Sequence, residues 1–75
     1  MNIVDRIDIN PNIMLGKPVI RGTRITAESI LRKISEGANE ETLVAAYPHL
    51  TKAGIQAAAR YAADMLAHEE HIWTA

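Results

Sequence analysis

The chain has no cysteine and no phenylalanine, and its 75 residues include a single tryptophan and two tyrosines. Without cysteine, neither a disulfide staple nor a thiolate metal site is available, which suits a reducing cytoplasm. No apolar run approaches the roughly 20 residues that span a bilayer. Met1-Asn2-Ile3-Val4-Asp5 also lacks the basic start and apolar stretch of a signal peptide, so the expectation is a soluble cytoplasmic protein with no membrane partner. A strong charge of one sign is missing as well: the formal net charge is −1, which argues against a constitutive nucleic-acid coat protein. Gly-x-Ser-x-Gly, phosphate-loop and dinucleotide signatures are absent, and Ser29 and Ser35 have no neighbouring histidine in sequence. The expectation is therefore no catalytic residue and no cofactor.

Repeats, low-complexity tracts and interdomain linkers are also lacking, so residues 1–75 read as one small domain. Its apolar core lies near the lower limit for independent stability, which points to association with itself or with a partner. The near-neutral total hides an asymmetry. Residues 1–35 carry six cations against three anions, and residues 36–75 carry two against six. Such polarity can orient a molecule on a phosphate surface or on a complementary subunit, and helix-end preferences produce it too.

What the chain does have is the string Gly16-Lys17-Pro18-Val19-Ile20-Arg21-Gly22-Thr23-Arg24. Its glycines and proline are turn chemistry, so Val19 and Ile20 form a short strand between two turns. Ile7-Asp8-Ile9 alternates with a period of two and pairs with it as a small hairpin, making residues 1–25 a β-hairpin arm.

Everything from residue 26 to 70 reads as a three-helix core. Thr26 caps the first helix, with Ile25 and Ile30 as a hydrophobic staple and Ala27, Ile30, Leu31 and Ile34 on its apolar face. Gly37 is its stop. Asn39 caps a second helix that turns Leu43, Val44 and Tyr47 inward and ends before Pro48. Thr51 caps a third, with a Leu50–Ile55 staple and an inward spacing of Ile55, Ala58, Ala59, Ala62, Met65 and Leu66, running to about His68. The small Ala58, Ala59 and Ala62 let another helix approach closely. The fold class is thus mainly α: a short N-terminal β-hairpin before a homeodomain-like or winged-helix-like trihelical bundle. Its last two helices, joined by a tight turn, make a helix-turn-helix.

The glycine-lysine-proline to glycine-threonine-arginine-isoleucine string of residues 16–25, Glu36-Gly37, Tyr47-Pro48-His49-Leu50-Thr51 and Tyr61-Ala62 resemble the domain-of-unknown-function family numbered 433. The likeness covers roughly residues 5–66. It implies a homeodomain-like helix-turn-helix antitoxin of a bacterial toxin–antitoxin pair, whose partner is a PIN-like ribonuclease toxin. Lys52-Ala53-Gly54 stands where the family usually has an acidic pair, which leaves the start of the third helix less negative.

The candidate DNA contacts follow from side-chain type and spacing. Lys52, Gln56 and Arg60 fall at i, i+4, i+8 on the third helix, and glutamine and arginine can pair bidentately with adenine and guanine edges. A solvated helix face has the same pattern. Lys17, Arg21 and Arg24 can meet flanking phosphates; alternatively they brace the hairpin against the helices through carboxylates such as Glu28 or Glu36. Bound to DNA, the chain would act as a homodimer or with its toxin, because one such helix offers few phosphate contacts. Tyr61 and the tail residues Ile72 and Trp73, within residues 71–75, are the candidate partner or dimer contacts. His68 and His71 lie three apart, which is not the two-histidine i, i+4 zinc pattern, so no metal is expected. A protein-binding or dimerisation module without DNA binding is the alternative.

Overall fold

The computed structural model describes residues 2–4 and 6–68, with side chains from residue 6 onward. Three short strands, β1 (Asn2–Val4), β2 (Ile7–Asp8) and β3 (Val19–Ile20), precede three helices, α1 (Ala27–Ser35), α2 (Glu40–Ala46) and α3 (Lys52–Ala67). The expected hairpin is present, with Ile7 opposite Ile20 and Asp8 opposite Val19. It is one strand larger than the alternation suggested: β1 pairs antiparallel with β2, giving a sheet of order β1-β2-β3. The strand itself ends at Asp8, one residue before Ile9.

Each turn has an identifiable device. Gly22, at φ +80°, closes the turn after β3, where Thr23 N–H and its hydroxyl both donate to the Ile20 carbonyl at 3.0 and 2.7 Å. Thr26, Asn39 and Thr51 cap the three helices, accepting from the backbone N–H groups of Ser29, Thr42 and Gly54 respectively. At the end of α1, Gly37 adopts φ +104° while its N–H bonds Ile34 O and that of Ala38 bonds Lys33 O, both at 3.0 Å. This is the Schellman arrangement, which satisfies two carbonyls the helix leaves open.

The core unites the sheet with all three helices. Ile7, Ile20, Ala27, Ile30, Leu43, Leu50, Ile55, Ala57 and Ala58 are buried together, with Ile25 of the first staple packed against them and the second staple pair wholly inside. The inward face of α3 differs from the expected one. Gly54 and Ala57 join Ile55 and Ala58 as its buried residues, whereas Ala59 is exposed and Met65 and Leu66 are 48% and 59% exposed. Ala59 falls about 100° round the helix from the buried Ala58, towards the Lys52 side, and Met65 faces an open cleft along α1 instead of the core. Val44 and Ile34, also expected inward, are 38% and 40% exposed. Val44 lies about 100° round α2 from the buried Leu43, and Ile34, although on the inward side, sits in the last turn of α1. Ile72 and Trp73, with the rest of the 71–75 tail, fall outside the described residues.

Candidate nucleic-acid interface

Two groups of side chains were singled out for contact with DNA, and the fold places them differently. Lys52, Gln56 and Arg60 all emerge on the solvent side of α3, opposite the buried Gly54, Ala57 and Ala58. The helix begins at its Thr51 cap with no acidic residue in the first turn, so its positive end is not neutralised locally. The Lys52 and Gln56 side chains make no hydrogen bond or ion pair with described residues. Arg60 lies 3.9 Å from Asp64 one turn on, with its side chain 77% exposed. So loose an exposed pair constrains the guanidinium weakly.

The cations of residues 16–25 are more occupied. Lys17 Nζ lies 3.5 Å from Glu28 Oε1 on α1, and Arg21 Nε donates to Asp8 Oδ1 on β2 at 3.2 Å. The Lys17–Glu28 pair ties the arm to a helix as the bracing alternative expects, whereas Arg21–Asp8 lies within the arm, with Asp8 in a role that local sequence did not signal. Glu28 also accepts from Arg32 Nη2 at 3.0 Å. The Arg32 hydrogen bond, reinforced by Lys17, holds the Glu28 carboxyl below its ordinary pKa. Arg24 instead lines an open cleft of about 1150 Å³ beside Ile25, Tyr47 and His49. The arm's cations thus have different neighbours: Lys17 meets α1, Arg21 meets β2 and Arg24 lines the cleft.

Other candidates also have places. Tyr61, expected at a partner contact, is half-buried and packs on the core from α3. His68 caps the end of α3 with its Nδ1 2.7 Å from Asp64 O; His71 is outside the described residues. Among the described residues no group of three histidine, cysteine, aspartate or glutamate side chains is placed to hold a metal ion, and no helix is long and apolar enough to cross a membrane. One feature escaped sequence reasoning. Met14 and Leu15, in a short 3-10 turn over Met14–Gly16, hold φ of +49° and +59°, and Leu15 is 94% exposed. The only local hint is Gly16, itself at φ +82°.

Residues 7–62 match the family model described as "Protein of unknown function (DUF433)". No curated protein matches the chain. Among solved structures, the crystal structure of a DUF433 member protein from Anabaena variabilis ATCC 29413 is similar, at 32% identity and a TM-score of 0.77 over 83% of this chain. The match covers 61% of that protein, so this chain spans about three fifths of its relative's length. With three quarters of its residues inside the family match and the same fold in a member of the family, the chain belongs to the DUF433 family.

Proposed function

We propose that the chain is an antitoxin-like helix-turn-helix protein that binds operator DNA, silences a PIN-like ribonuclease toxin and represses its own operon in the cytoplasm. The observation that carries the DNA half is the α3 stripe: Lys52, Gln56 and Arg60 exposed in one row along the first half of the second helix of the α2–α3 pair. Lysine and arginine at the two ends meet phosphates or guanine, and Gln56 between them reads a base edge. The toxin half rests on the family resemblance alone. Arg24, lining the wide cleft beside Tyr47 and His49, is the arm cation best placed to add a phosphate or toxin contact.

Salt dependence tests this reading. With Lys52, Arg60 and Arg24 each neutralising one phosphate, raising salt from about 50 to 200 mM lowers affinity for a duplex from the chain's own upstream region about 40-fold. Arg60→Ala removes one of the three and reduces that factor to about 12-fold. Binding no tighter than to a random duplex, alone or with the neighbouring gene product added, refutes the operator role.

The Lys17–Glu28 and Arg21–Asp8 pairs favour a second reading, a protein-binding module without DNA binding, since both cations already have carboxylate partners. Under it, replacing Gln56 and Arg60 with alanine leaves the duplex titration at the level of a random duplex, as in the unaltered chain, while partner binding fails.

A further inference from the structure

Between α1 and α3 runs a second cleft of about 460 Å³, with Leu31, Tyr61, Ala62 and Met65 among its lining and Glu28 and Arg32 on its α1 side. Ile34, one turn along α1 from Leu31, and Leu66, next to Met65, add exposed apolar surface at 40% and 59%. Large aliphatic side chains gathered on two neighbouring helices leave unburied surface that a chain of this size has reason to cover, since small domains bury only about 60% of the surface their unfolded chains expose.

We propose that this face is covered by a second copy of the chain, in a two-fold dimer that packs α1 and α3 of one copy against those of the other. The charges on the face fit themselves under that symmetry. A two-fold axis at the level of Ile30 runs the two α1 helices antiparallel, which sets Glu28 of one copy opposite the partner's Arg32, and Arg32 opposite the partner's Glu28. An isologous interface needs this kind of self-complementarity, and an i, i+4 acid–base pair centred on the axis supplies it twice. Ala62 in the cleft keeps the α3 surface low enough for close helix approach. A stable dimer needs on the order of 800 Å² per partner, about one seventh of this chain's 5501 Å².

The face is distinct from the α3 stripe, so the dimer stands or falls independently of the DNA reading. The test is sedimentation velocity on the intact chain between about 5 and 500 µM, where a dimer makes the mass concentration-dependent. Expected is a shift from the 8.3 kDa monomer toward twice that mass. Met65→Lys, at a 48% exposed position, weakens association about tenfold or more. Glu28→Arg and Arg32→Glu each weaken it by placing like charges across the axis. Mixing those two single variants restores a heterodimer, because two cations on α1 of one copy then face two anions on α1 of the other. Circular dichroism of every variant confirms retained helix. A monomer at all concentrations, a dimer indifferent to Met65→Lys, or charge variants that do not rescue one another each overturn the proposal; an association lost in the single variants and regained in the mixture supports it.

Discussion

Gly54 sits in the first turn of α3, in helical backbone, and is buried against the sheet. By helix propensity alone, Gly54→Ala gains about 1 kcal/mol. Packing opposes it. A Cβ at Gly54 lies 3.1 Å from Ile20 Cγ2 and 3.3 Å from Leu50 Cδ1, closer than most real Cβ contacts. Both neighbours are core residues, 5% and 3% exposed, so neither has open space to move into. Overpacking a core site by one methyl typically costs about 1–3 kcal/mol. The steric cost exceeds the propensity gain, and the net expectation is a loss of about 1 kcal/mol. In a domain of this size that lowers the unfolding midpoint by about 4–8 °C, measured by far-UV circular dichroism. Coupling identifies the cause. Leu50→Val removes the δ-carbon that crowds the new methyl, so the Gly54→Ala/Leu50→Val double variant loses less than the sum of its singles. A raised midpoint in Gly54→Ala, or strict additivity in the double variant, refutes the claim that α3 approaches β3 closely enough to require glycine there.

Two further outcomes follow from backbone strain and from charge. Leu15 holds φ +59° with its side chain 94% exposed; Leu15→Gly relieves a left-handed cost of about 1–2 kcal/mol against an unfolded-chain entropy cost of about 0.5–1 kcal/mol. It should raise the midpoint by a few degrees, and a lowered midpoint would mean that the leucine side chain packs in the free protein. Glu28, whose pKa is depressed by Arg32 first and Lys17 second, binds its proton less readily in the folded than in the unfolded chain. Its contribution is therefore present above its ordinary value of 4.5 and fades as pH falls through the lower folded value. Glu28→Gln should flatten that part of the stability curve in urea titrations at successive pH values, by a small amount because the pair is exposed; parallel curves for the two proteins would remove Arg32 and Lys17 as the cause.

What was legible in the chain is what acts over a few residues. Thr26, Asn39 and Thr51 each satisfy a backbone N–H three positions on, and Gly37 closes α1 through bonds to Lys33 and Ile34, so type and spacing sufficed to place the helix ends. The staples Ile25–Ile30 and Leu50–Ile55 are local in the same way, and all four residues reach the core. Burial at the margins was not legible, because it depends on how far a neighbouring element extends. Met65 and Leu66 continue the helical spacing of Ile55 and Ala58, yet neither is enclosed: Met65 lines an open cleft along α1 and Leu66 faces outward. The bracing of Arg21 by Asp8 spans thirteen residues, and only the sheet register brings the two together. Nothing in a Met-Leu pair announces two consecutive left-handed residues, and β1 lacks the clear alternation that revealed β2.

The two proposed surfaces of α3 constrain each other. At 3.6 residues per turn, Lys52, Gln56 and Arg60 drift round the helix by about 40° per step, so the stripe is centred on Gln56. Met65, nine residues beyond Gln56, lies about 180° from it, with Tyr61 and Ala62 within about 60° of Met65. The face that would pair two copies therefore points away from the face that would read DNA. Dimerisation through α1 and α3 leaves both stripes open and turns them to opposite outer sides of the dimer, so a single straight duplex meets one stripe at a time. Met65→Lys should then break the dimer without changing affinity for one half-site, and Arg60→Ala should weaken the half-site without changing the dimer. A complex in which two chains occupy half-sites one helical turn apart on one duplex requires both α3 helices to face the same way, which this dimer cannot provide. Finding such a complex, with the dimer still sensitive to Met65→Lys, would mean that the contact joining neighbouring chains on DNA is made by another surface, and the cleft lined by Arg24 and Tyr47 is the next place to look for it.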